Sequence, residues 1–115
     1  MVVSENTINN IVNAIVSTGL AHDVLVFGSY ARGEQTDDSD IDFCILTDDN
    51  LPEGTSLMQL TADLYGKIRN IEKPPIDLLV YRRSDFISRS SCPVTFEHTI
   101  LQEGKKLYGF EQHSA

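Results

Sequence analysis

Three aspartates and a glycine–serine turn carry the chemistry of this chain. Asp40 and Asp42 stand two apart at the head of an apolar run that continues through Phe43, Cys44, Ile45 and Leu46. On a strand, that spacing sends both carboxylates out of one face. Carboxylates held so close repel unless one is protonated or a cation sits between them. A hard divalent ion, most simply magnesium, relieves the repulsion through oxygen ligands and keeps coordination positions open for phosphate. The same two residues also suit a solvated strand entrance, where Asp serves as a turn former. Asp77 is the sole charged residue from Ile76 to Tyr81, and charged side chains are rarely fully buried unless paired. If its strand neighbours the Asp40–Leu46 strand, Asp77 is a third carboxylate beside the pair. Otherwise it is a strand-end residue reaching solvent.

The other half of the pattern is Gly28-Ser29, where the apolar run Val24 to Phe27 ends. Gly28 removes a side chain where the chain leaves a strand, so a ligand can approach the backbone. Ser29 adds a hydroxyl donor, and the amides that open the next turn can point at an anion. Arg32 offers a planar, permanently charged fork suited to phosphate oxygens. By itself a Gly-Ser pair after a strand is equally an ordinary turn. From Gly33 to Asn50 there are seven acids (Glu34, Asp37, Asp38, Asp40, Asp42, Asp48, Asp49) and no Lys or Arg. Such a stretch repels a bare triphosphate, so nucleotide binding here should depend steeply on a divalent cation.

The elements that must position these residues follow from periodicity. Ile8, Ile11, Val12, Ile15 and Val16 predict an amphipathic helix over 5–18, with Ser4 as N-cap and Gly19 as its stop. Val24–Phe27 reads as a buried strand, and 28–39 as a polar turn. In the next strand Ile41, Phe43 and Ile45 face one side, while Asp40, Asp42, Cys44 and Leu46 face the other. Residues 47–54 form a loop on composition. Leu57, Leu60, Leu64, Ile68 and Ile71 predict a second helix over 56–71, ended by Pro74 and Pro75. Ile76–Tyr81 is a third strand. Ser84 or Asp85 can cap a short helical turn around Phe86 and Ile87. Pro93 fits the first position of a last helix with Phe96, Ile100 and Leu101 buried and Gly104 ending it, and Leu107 and Tyr108 fit an edge strand. This order predicts an α/β (α+β) domain, a small mixed sheet with helices packed on one face.

A chain of 115 residues suits one domain, 1–115, with its own core. Its 41% hydrophobic and 23% charged fractions are those of a soluble globular protein. No early apolar run has the flanks of a signal peptide, and none approaches the roughly 18 residues of a membrane span, so a cytoplasmic location with no membrane contact is expected. Cys44 and Cys92 lack any CxxC spacing, which argues against a disulfide framework or a zinc site. A net charge of −8 argues against sequence-independent, direct nucleic-acid binding. It suits a basic protein partner or a metal site that must concentrate cations, and equally simple solubility. Asp38, Asp40, Asp42 and Asp49 fall on calcium-loop positions, but the place that needs glycine is Phe43 and an apolar strand follows. No P-loop is present. His22, His98 and His113 do not cluster; His98 reads as a surface helix position, and Tyr30 as a residue packed under the glycine turn.

The pattern Gly28-Ser-Tyr-Ala-Arg-Gly33, then Ser39-Asp-Ile-Asp42, with Asp77 on a later strand, resembles the DNA polymerase beta-like nucleotidyltransferase superfamily. Within it the chain looks like the minimal nucleotidyltransferases (MNT). The resemblance implies a mixed sheet carrying three acids, with Asp40 and Asp42 as magnesium ligands and Asp77 completing the metal site and helping to activate the acceptor hydroxyl. It implies that Gly28 and Ser29 hold the triphosphate of ATP, with Arg32 at its phosphates. Larger relatives add a helical domain, whereas minimal members are often antitoxins of HEPN-domain ribonuclease toxins. The function this implies is a Mg-dependent protein adenylyltransferase that moves AMP to a HEPN-type toxin within a hetero-oligomer. Neutralisation by complex formation alone, or service as a subunit of a small-molecule (aminoglycoside-like) nucleotidyltransferase, are the alternatives.

Overall fold

The computed structural model describes residues 4–34 and 40–109. Their order is α1 (Glu5–Val16), β1 (Ala21–Phe27), α2 (Ser29–Arg32), β2 (Ile41–Thr47), α3 (Leu57–Ile68), β3 (Ile76–Arg82), α4 (Arg83–Ser90), α5 (Phe96–Glu103) and β4 (Lys105–Tyr108). The strands form one sheet in the order β3-β2-β1-β4. β1 runs antiparallel to β2 and to β4, while β2 and β3 are parallel, joined by the α3 crossover. Ser39, Asp37, Asp38 and the last six residues, which include His113, lie outside the described part.

The alternation read from the sequence sets the two sides of the sheet. Val24 and Val26 of β1, Ile41, Phe43 and Ile45 of β2 and Leu78 of β3 pack with Ile8, Ile11 and Ile15 of α1 and Leu60, Leu64 and Ile68 of α3. Fully burying a side chain such as Phe43 contributes about 1.5–3 kcal/mol. Tyr30 packs against this same cluster, as expected of a residue lying under the glycine turn. On the opposite side Leu25, Phe27, Cys44 and Leu46 meet Phe86 of α4 and Ile100 of α5. Cys44 is completely buried there, and burial pushes its thiol up to about 12.

Caps explain most helix starts. Ser4 Oγ accepts from the Thr7 amide at 3.1 Å, and Ser56 Oγ from the Gln59 amide at 3.0 Å. Two local expectations are corrected. The last helix begins at Phe96, three residues after Pro93, because Thr95 Oγ1 accepts from the His98 amide at 3.0 Å while its single proton is shared between the Arg89 and Cys92 carbonyls. A threonine that can do this outcompetes a proline that only tolerates a helix start. The helix around Phe86 is α4, eight residues long, and neither Ser84 nor Asp85 caps it. Asp49, in the loop after β2, reaches across and accepts from the Ser84 amide at 2.9 Å. His98 is half-buried, its Nδ1 2.9 Å from the Ser90 carbonyl, and so ties α5 to α4. Among the described residues, no helix is long and apolar enough to cross a membrane.

Candidate active site

The strand register decides what the acidic residues can do. In the parallel pair, Asp42 stands opposite Asp77, and in the antiparallel pair, Phe27 stands opposite Asp42. Residues in register share a side, so Asp42 and Asp77 leave the sheet together, one strand spacing apart. Asp40 precedes β2, one residue outside the strand, and is exposed. Asp77 is exposed as well, so it reaches solvent and also lies beside Asp42.

Electrostatics follow from this crowding. Burial is the first cause that raises the Asp42 carboxyl above the ordinary range; the charges of Asp77 and Asp40 and a hydrogen bond with the Asp77 carboxyl add to it, while Arg32 opposes. Two carboxylates in such contact cannot both stay ionised without a counter-charge. Among the described residues, no group of three or more His, Cys, Asp or Glu is drawn together as a closed metal site. The donor set at Asp42 and Asp77 is oxygen-only and electron-rich, which fits a hard divalent ion rather than a soft one.

Gly28 forms the next wall. With φ 75° and ψ −150° it occupies a conformation essentially restricted to glycine. A Cβ built on it would lie 2.5 Å from Asp42 Oδ2, so the backbone abuts the carboxylate with no room for a side chain. Ser29 then opens α2, a single turn ended by Gly33 at φ 73°. This helix lies within the stretch 28–39 that composition marks only as a polar turn, and the two glycines that bracket Ser29–Arg32 are its one local signal. Arg32, at the end of α2, is held by two carboxylates, Nε to Glu34 Oε1 at 2.9 Å and one terminal nitrogen to Glu103 Oε1 at 3.1 Å. Those bonds raise its already high pKa.

These groups open onto one cavity of about 530 Å³, whose wall includes Gly28, Arg32, Asp42 and Asp77. Its floor is apolar, formed by Phe27, Leu79 and Ile100 with Phe96 at the rim, and Phe96 meets Phe27 edge-on at 5.9 Å. Ser29 and Asp40 stand outside that lining. Glu103, Thr99 and Tyr65 belong to it and were not singled out by sequence, since nothing in their local patterns marks them. Of the last-helix residues expected to be buried, Ile100 is, whereas Phe96 at the cavity rim and Leu101 are about half exposed, because a helix this short turns only one narrow stripe to the sheet. A polar end with paired carboxylates, an arginine and a side-chain-free glycine, joined to an aromatic end, suits a molecule with a charged head and a flat apolar part.

Comparison with known proteins agrees with that chemistry. The family described as Polymerase beta, Nucleotidyltransferase matches residues 9–113. A candidate protein adenylyltransferase of Methanocaldococcus jannaschii is 31% identical over 106 residues, covering 90% of this chain and 97% of its own. Among solved structures, a toxin–antitoxin with AMP-PNP superposes with a TM-score of 0.56 at 23% identity, over 95% of this chain and 76% of that one. The toxin–antitoxin MntA-HepT superposes at 0.52 and 18% identity, over 93% and 74%. At such identities the two superpositions speak for the fold.

Proposed function

Because this chain belongs to the polymerase beta-type nucleotidyltransferases, we propose that it transfers AMP from ATP to a hydroxyl of a HEPN-type ribonuclease toxin and so neutralises it as an antitoxin. The observation that carries the reading is the Asp42–Asp77 pair in register, with the side-chain-free backbone of Gly28 against the Asp42 carboxylate, on one wall of one cavity. The relatives favour the same acceptor class. One is named for protein adenylylation, and two similar structures are toxin–antitoxins, one of them with the ATP analogue AMP-PNP.

In this reading Asp42 and Asp77, with Asp40 as the third carboxylate, hold magnesium. Bound there, the ion supplies charge neutralisation for the triphosphate and for the leaving pyrophosphate. Gly28 lets the phosphates approach the backbone, and the Ser29 hydroxyl donates to them. Arg32 exchanges Glu34 and Glu103 for phosphate oxygens, which its 43% exposure permits. Asp77, open to solvent, takes the proton of the acceptor hydroxyl. That hydroxyl attacks the α-phosphate and pyrophosphate departs, so the protein's task is positioning and electrostatics.

The test is incubation of the chain with α-labelled ATP, magnesium and the protein encoded beside it. Label on that protein, lost in Asp42→Ala, supports the proposal. An unlabelled partner, with wild type and Asp42→Ala alike, removes the enzyme. If the Asp40→Ala, Asp42→Ala double variant still protects cells expressing the partner, neutralisation is by complex formation; label on an aminoglycoside-like acceptor points to the small-molecule reading instead.

A further inference from the structure

Tyr65 stands on α3, the helix that covers the side of the sheet away from Asp42 and Asp77, yet its ring is part of their cavity's wall. A single hydrogen bond accounts for this. β3 is one edge strand of the sheet, and the Leu78 amide donates to Tyr65 Oη at 3.0 Å. The bond carries the ring around the sheet edge and fixes the phenolic oxygen beside the residue that follows Asp77. Accepting from an amide occupies one lone pair and leaves the hydroxyl proton and the other lone pair uncommitted. The side chain is 40% exposed, so packing does not close it off from the cavity. The other tyrosines are placed differently: Tyr30 and Tyr108 pack against the core, and Tyr81 donates to Glu97 at 2.9 Å.

We infer that Tyr65 is an acceptor for the chain's own nucleotidyl transfer, so that the protein adenylylates itself at this position. The inference rests on the AMP transfer proposed above. Tyr65 Oη forms the new bond to the α-phosphorus of ATP, the bond from that phosphorus to the bridging oxygen of the β-phosphate breaks, and pyrophosphate leaves. The phenolic proton passes to Asp77, which has the same task toward an external hydroxyl. The acceptor hydroxyl and its base belong to the chain that binds the ATP, so no encounter with a partner is needed. The product is a phosphodiester whose nucleotide stays in the cavity that the next ATP must enter. A chain modified in this way is occupied and transfers nothing further.

The experiment is incubation of the whole protein with α-labelled ATP and magnesium, with and without the partner, followed by peptide mapping of every labelled chain. The expected result is label on Tyr65 of wild type when the partner is absent, at a rate per chain unchanged by about tenfold dilution, as an intramolecular step requires. Tyr65→Phe loses that label, and wild type already carrying AMP binds AMP-PNP more weakly than fresh protein. Mapping on wild type stands even if the variant folds poorly. Label on another residue, or an unlabelled chain that still labels its partner, overturns the inference alone. No label on either chain or partner overturns the proposed function, and the inference with it.

Discussion

Gly28→Ala is the substitution whose effect the geometry specifies most fully. At φ 75° and ψ −150° any side chain is strained, at a cost of about 1–3 kcal/mol. The added Cβ would also meet Asp42 Oδ2 at 2.5 Å, where ordinary contact begins at 3.4 Å. Asp42 ends in a rotatable carboxylate, so the side chain moves rather than the backbone, by about an ångström. A displacement of that size in a reacting assembly lowers rates by roughly 100-fold. Gly33 provides the control. It shares the positive φ, at 73°, but a Cβ there meets nothing within 4 Å. Gly33→Ala therefore loses about 1–2 kcal/mol of stability from the left-handed backbone alone. Urea denaturation and AMP transfer, measured on both variants, separate the two effects. Both should unfold earlier than wild type, and only Gly28→Ala should lose transfer. Equal transfer by the two variants would refute the close approach of Gly28 to Asp42 as a functional contact.

Other outcomes follow from the same structure. Asp77→Asn removes a charge that holds the Asp42 carboxyl up. Because Asp42 titrates higher folded than unfolded, wild-type stability falls as pH rises from the unfolded carboxyl value through the folded one. The variant should flatten that fall above the unfolded carboxyl value and be the more stable protein at neutral pH, while losing transfer; denaturation midpoints across pH read this. Asp49→Ala removes the acceptor for the Ser84 amide, whose bond holds the Asp49 carboxyl below its usual range. That contribution is present above the unfolded carboxyl value and fades as pH falls through the folded one, so the variant should melt earlier at neutral pH and like wild type in acid. Iodoacetamide should modify exposed Cys92 and spare Cys44, buried with its thiol at about 12, until denaturant is added; a native protein alkylated equally at both would contradict the buried position.

Much of the site was legible because it is local. The two-residue spacing of Asp40 and Asp42, the glycine that ends the first strand, and the lone charge at Asp77 all stand in short windows, and the periodicities of α1 and α3 fixed their buried stripes. What sequence left open was non-local. Only the strand order puts Asp77 beside Asp42, since 34 residues and a helix separate them and nothing in the β3 pattern names its neighbour. The same holds for Asp49 at the start of α4, for Glu103 on Arg32, and for Tyr65, whose position depends on an unpaired amide at the sheet edge. Buried Asp23 is another case. Its charge is accommodated by His22 at 2.9 Å, Arg83 at 3.3 Å and Lys106 at 3.7 Å, from β1, α4 and β4 respectively.

The central claim is that phosphate meets the Asp42–Asp77 pair only through a divalent cation, because an acidic wall repels a bare triphosphate. Calorimetric titration of AMP-PNP into the protein, with magnesium and then with excess chelator, tests it directly. Binding in magnesium that weakens on the order of tenfold or more in chelator, and that is lost from Asp42→Asn in either condition, is the predicted result. Equally tight binding in chelator, or binding unchanged in Asp42→Asn, would contradict the account.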